Sequence, residues 1–278
     1  ISSTVRCSTP RDTAPAGNIT IHVRDGSLSQ SNGTIKAGNL TITTVDTTCT
    51  GNCTTPIAYD ITLDNDGNYD SATNQITGTF SAASDGSVTV YNQGLLTVGD
   101  IKGSVGGTAD DVYLNSLNAG INFTGQVIGN SVEGDASGSI VQQHNSGLDG
   151  GDLYLTSTNG NIVLPNDNDM DGDVKLSALG DVLFGNNDNT RLAEVSAGGN
   201  LTVLSEGNLT ITQSIQNSGS GNITLVAGWD GTTTAASQLG NSGVYGNYNA
   251  DSTYGNVYID GSVFGVSVGS ASGKTLVE

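Results

Sequence analysis

The residues whose types and spacing could do chemistry lie in the run NDNDMDGD, where Asp167, Asp169, Asp171 and Asp173 alternate around Gly172. Calcium takes six to eight hard oxygen ligands, and a DxDxDG loop turns alternate carboxylates inward while its glycine allows the sharp bend. The run is therefore a candidate calcium site. Its match to an EF-hand stops early, because the position that should hold a bidentate glutamate is Ala178. A polar turn between Leu164 and Val174, with four hydrated carboxylates, fits the same residues. The weaker acidic turn DNDGNYD at Asp64–Asp70 is open to the same two readings.

Other chemistries find less. The two histidines, His22 and His144, lie far apart, and no Ser/His/Asp or metal–histidine arrangement is visible. A polysaccharide lyase needs clustered basic residues to hold uronates and take a proton, but the eight Lys and Arg are dispersed. A glycosidase needs carboxylates on both sides of the scissile bond. The adjacent pair Asp110–Asp111 reads instead as a polar turn leading into Val112, so no catalytic residues are assigned and no enzyme is expected. A polysaccharide-active β-helix enzyme stands as the remote alternative. Cys49 and Cys53, in CTGNC, are close enough to close a small disulfide loop, which leaves Cys7 free; a bridge from Cys7 to either of them is the alternative.

Four aromatic residues, Trp229, Tyr245, Tyr248 and Tyr254, are candidate binding residues, because aromatic faces suit sugar stacking and protein contacts. They serve equally to cover their own loop. A formal charge of −19 argues against nucleic acid and anionic membrane as partners. With no apolar stretch long enough to span a bilayer, membrane insertion is not expected. Acidic, Thr/Asn/Gly-rich composition suits an extracellular or cell-surface setting, with any leader peptide already removed or outside the given sequence.

The elements that must position these residues are written as a repeated phrase: glycine, then Asn or Asp, then an apolar-polar-apolar triplet. It occurs as GNITI (Gly17–Ile21), GNLTI (Gly38–Ile42), GDLYL (Gly151–Leu155), GDVKL (Gly172–Leu176), GNLTV (Gly199–Val203), GNLTI (Gly207–Ile211) and GNITL (Gly221–Leu225). A stride near 21 residues, with a second copy eight or nine residues into many coils, predicts stacked coils of short strands. Alternation at period two places Leu201, Val203, Leu209, Ile211, Ile223 and Leu225 inside and Thr202, Thr210 and Thr224 in solvent. Only 13% of residues are charged and helix formers are scarce. The expected fold is all-β, a parallel β-helix (β-solenoid) with about 21 residues per coil and roughly a dozen coils.

One solenoid domain is expected over residues 1–278, with loop excursions near 43–79 and 229–254 where the phrase lapses. Its recurrent glycines are read as turn residues at positive φ, and stacked Asn side chains as amide ladders along the axis.

The stretch GNLTVLSEGNLTITQSIQNSGSGNITLVAGWDG (Gly199–Gly231) resembles the repeat region of filamentous-haemagglutinin-type adhesins, bacterial exoproteins of the two-partner-secretion type. The resemblance runs mainly over Gly151–Ile259 and implies a right-handed parallel β-helix. Two functions follow as expectations. One is a cell-surface or secreted adhesin or structural rod that meets a host or glycan surface. The other is a self-assembling subunit of an extracellular filament or matrix fibre, joined through uncapped ends.

Overall fold

The computed structural model of the chain describes residues 17–30, 33–48, 57–64, 74–103, 108–229, 255–259, 268–270 and 275–277. Those residues form an all-β, parallel β-solenoid of about nine turns, with successive turns roughly 21 residues apart and no helix. Each strand pairs in parallel with its counterpart one turn on: Ile19 lies beside Leu40, Leu153 beside Val174, Val182 beside Leu201 and Leu201 beside Ile223. The turns are fewer than the dozen expected because some strides are long. Leu40 pairs with Phe80 and Leu209 with Val257, so one turn there consumes about twice the usual chain.

A coil visits its faces in a fixed order. The first face stacks Val88–Asn92, then 112–116, 132–136, 153–157 and 174–178. The second stacks 96–98, Ile121–Phe123, Ile140–Gln142, 162–164, Val182–Asn186, Leu201–Ser205 and Ile223–Ala227. A shorter third face carries 127–129, 148–150 and 168–170. Within the expected excursion at 43–79, Ile61–Leu63 joins the first face and Gln75–Ile76 pairs with Lys36–Ala37, so those segments belong to the stack.

One continuous apolar cluster runs up the middle from Ala37 to Ala227. Alternation decides what enters it. Leu201, Val203, Leu209, Ile211, Ile223 and Leu225 are all buried there, as their spacing predicts. Thr202 and Thr210 lie half-buried on the outside, but Thr224 is buried rather than solvated. Its strand, Ile223–Ala227, is buried along its whole length because a second, external apolar cluster of Leu183, Leu204, Val226 and Trp229 lies over the same face.

The glycine–Asn/Asp phrase marks the corners, and its chemistry differs from a positive-φ turn. Asn161 Oδ1 accepts the backbone N–H of Asp181 (2.8 Å), Asp181 Oδ1 accepts that of Asn200 (2.6 Å), and Asn200 Oδ1 accepts that of Asn222 (3.0 Å). A second series runs Asn189, Asn208, Asn256 at 2.9 and 3.1 Å. The side-chain oxygen thus supplies the hydrogen bond that an extended ladder loses where the chain bends. Only the acceptor is needed, which is why Asn and Asp exchange freely in the phrase. Some amide N–H groups do reach along the axis, such as Asn208 Nδ2 to Asn189 Oδ1 at 3.0 Å, but the shared element is the bond to backbone.

The preceding glycine follows from the same contact. A Cβ added at Gly180 or Gly199 would overlap Asn161 Oδ1 or Asp181 Oδ1 from the coil below, whereas neither glycine has a positive φ. Among the described residues positive-φ glycines are confined to Gly33, Gly150, Gly228 and Gly255. The glycine is there to admit a neighbour's side chain.

The corner bond is separable from charge at Asn39, whose Oδ1 accepts the Thr79 N–H at 2.8 Å. Asn39→Asp retains the acceptor and is expected to melt close to the native protein. Asn39→Ala leaves the N–H without it and should lose about 1 kcal/mol. Thermal melting of the two variants side by side checks this, and equal losses would contradict it.

Candidate ligand-binding face

The first part of the acidic run lies on a strand, Ile162–Met170, and its alternation there is the strand period, while Asp173 opens the next strand, Asp173–Ala178. Asn168 and Met170 point inward and are fully buried, while Asp169 and Asp171 are exposed. Asn168 is bonded on every side: its Oδ1 accepts from Leu148 N and Gln142 Nε2, and its Nδ2 donates to Asn166 O and Gly185 O. Asn186 repeats the role one coil on, holding both the N–H and the carbonyl of Met170. These buried amides replace ladder bonds at a bend, a role the alternating NDND pattern conceals.

The four aspartates expected to act together are divided. Asp173 turns to Arg191, whose Nε lies 3.0 Å from its Oδ1, and its N–H is held by Asp152 Oδ1 at 2.7 Å. Asp169 and Asp171 are joined instead by Asp188 from the next coil, with one oxygen of each within 4.8 Å of the others. The Asp167 backbone belongs to the same strand. Of the second acidic turn, only Asp64 falls within the described residues. Cys7, Cys49, Cys53, Tyr245, Tyr248 and Tyr254 all lie outside them.

Trp229 has no open ring face for a sugar. It is 3% exposed and packs with Leu183, Leu204 and Val226 on the outside of the second face, over the space left by Gly185. Its backbone N–H donates to Ser205 O at 2.8 Å, pinning the chain to the stack. Indoles bury a large apolar area, and here that area seals the solenoid wall.

A different set of polar residues is gathered on the first face, around a column one residue wide. Tyr113, Glu133, Tyr154, Lys175 and Glu194 are successive partners in register. Tyr113 donates to Asp135 Oδ2 (2.8 Å) and leans on Tyr91, ring centroids 5.6 Å apart and tilted by 38°. Tyr154 donates to Asp152 Oδ2 (2.7 Å), and Lys175 Nζ sits 4.7 Å from its ring centroid, a cation–π contact. On the edge of the same face, Asp111 accepts from Ser131 Oγ at 2.9 Å and Asp110 from Asn130 Nδ2 at 2.8 Å. The Asp110–Asp111 pair is therefore strand, not turn.

The electrostatics follow from this packing. Burial first, then the bond to Asp135, pushes the Tyr113 phenol up to about 12. For Tyr154 the bond to Asp152 comes first and burial second, again to about 12. Both phenols are therefore neutral donors at any physiological pH. The Glu133 carboxyl is raised by burial and by the charges of Asp111 and Asp135. It lies between two tyrosines whose hydroxyls are turned away to other carboxylates, and no hydrogen bond to it is formed among the described residues.

Asp169 is raised too, by burial and then by Asp149, Asp171 and Asp188. A raised folded-state value means that the stabilising proton is bound below the ordinary value of 3.8 and is lost as the pH climbs through the folded value, so at pH 7 the charged group opposes folding. Asp169→Asn is expected to raise the melting temperature at pH 7 and low salt, by a few tenths of a kcal/mol on the scale of like-charged cross-strand pairs. The gain should vanish below about pH 4. A variant that melts lower than the native chain at pH 7 would contradict this. Comparison with known proteins yields no match: no family model, curated protein or solved structure is significantly similar to the chain.

Proposed function

We propose that the chain is the shaft of an extracellular adhesin or structural rod, without enzymatic activity of its own. The observation that supports this reading is the unbroken parallel stack, with one apolar core from Ala37 to Ala227 and corners tied coil to coil by Asn and Asp. Such a stack transmits position along an axis and presents a long lateral surface, which suits display at a distance from a cell. Acidic charge keeps the rod soluble and apart from nucleic acid and anionic lipid.

A second reading, a subunit of an extracellular fibre, draws on the outermost described coils. Ile19, Ile21 and Val257 are only partly buried, and Ile259 and Val277 are 60% and 48% exposed. Among the described residues, Ile19–Arg24 pairs on one side alone, with Leu40–Val45, and Val257–Ile259 with Leu209–Ile211. Parallel edges of this kind pair with further β-structure. Negative-stain images and sedimentation velocity of the purified chain test both readings. Discrete rods of uniform width are expected for the shaft and linear polymers for the fibre, whereas compact globular particles would overturn the two together.

A further inference from the structure

The Tyr113–Glu133–Tyr154–Lys175 column on the first face has the features of a site rather than of a solvated wall. Glu133 is partly desolvated, lacks a donor among the described residues, and is wedged between Tyr113 and Tyr154 in register. Asp135 and Asp152 clamp the two phenols, so the rings on either side of Glu133 are held by bonds that do not involve it. Lys175 is drawn over the outer tyrosine and does not neutralise the glutamate. What remains is a half-exposed carboxylate that no described donor meets, flanked by two tyrosine rings, on a face rich in carboxylates.

From this geometry we infer that the Tyr113–Glu133–Tyr154 column binds a neutral, extended polysaccharide laid along the solenoid axis. The charge of the face selects against uronates, sulfated glycans and nucleic acid, which would meet Asp111, Asp135 and Asp152. Sugar hydroxyls supply the donors that Glu133 lacks, and a carboxylate can accept from two at once. Coils stacked at about 4.8 Å rise by close to the length of one pyranose unit in an extended chain. A periodic wall therefore meets a periodic polymer in step, which a peptide or a globular partner does not offer. The inference rests on the proposed rod and names the surface with which it would adhere. Host glycan and secreted matrix polysaccharide share this chemistry, and differ in linkage.

The test is calorimetric titration of the whole chain with cellohexaose, mannohexaose, laminarihexaose, hexagalacturonate and an oligolysine peptide. At least one neutral hexaose is expected to bind and hexagalacturonate is not, and the linkage preferred among the neutral three separates the sources. Glu133→Ala should weaken that binding at least tenfold, with Glu133→Gln intermediate, while Asp100→Asn, at an exposed corner where the oxygen still accepts the Gln126 N–H, should leave it unchanged. Melting curves confirm that the variants are folded. Absence of binding to every neutral hexaose, equal binding of hexagalacturonate, or an unaffected Glu133→Ala would overturn the proposal. Oligolysine captured with no hexaose bound would assign the face to a basic partner and overturn it as well. Images of the same sample keep the two proposals apart: rods that bind no sugar remove the site alone, and compact particles remove the rod.

Discussion

The glycine–Asx corners described in this solenoid depend on a side-chain oxygen that reaches one coil along the axis and accepts a backbone N–H. Asn161, Asp181 and Asn200 form one such series and Asn189 and Asn208 another. Bending a parallel strand interrupts its ladder, and an unbonded buried N–H costs about as much as a whole hydrogen bond is worth. The Asx oxygen removes that cost, and at Asn161, Asp181 and Asn189 it also lies where a Cβ on Gly180, Gly199 or Gly207 of the next coil would fall, so glycine is required there. Glycine and Asn/Asp are thus one device shared between two coils. Stacking, corner geometry and composition all descend from it.

Much of the fold is legible in the chain because this device and the strand period are both local. Leu209 and Ile211 declare themselves as interior by alternation with Thr210, and the stride between copies of the phrase sets the parallel register. The cause of the phrase is less visible, since a glycine that tolerates positive φ and one that makes room for a neighbour's oxygen are the same letter. Thr224 and Trp229 defeat simple alternation for a related reason. An outward residue is exposed only if nothing lies over it, and the external cluster of Leu183, Leu204 and Val226 invites the indole down onto the wall.

The candidate site was hidden by the same logic. Inward residues of successive coils largely share a type, because most must be apolar and the polar ones, such as Asn168 and Asn186, are bonded amides at bends. Outward residues need share nothing, so Tyr113, Glu133, Tyr154, Lys175 and Glu194 form a column in space that has a common spacing and no common chemistry. Only the register brings Glu133 between two phenols. Conversely, Asp167, Asp169, Asp171 and Asp173 look like a set because they are neighbours in sequence, while the strand and the bend at Gly172 direct Asp173 to Arg191 and leave Asp169 beside Asp188. On a solenoid, chemistry is assembled across coils.

The shared corner is tested most directly by a double-mutant cycle on Asp181 and Gly199. A Cβ at Gly199 would overlap the Asp181 carboxylate, and the three nearest atoms it would meet all belong to Asp181. Gly199→Ala in the native background should therefore be strongly destabilising, and Asp181→Ala should cost about 1–2 kcal/mol through its lost bond to Asn200 N. With the carboxylate gone, the added methyl loses its overlap and keeps a tight contact with the Asp181 backbone N, so the double variant should be more stable than the two single losses combined, with a coupling of about 1 kcal/mol or more. Strict additivity of the two losses in equilibrium unfolding would contradict the claim that glycine and Asx are one device.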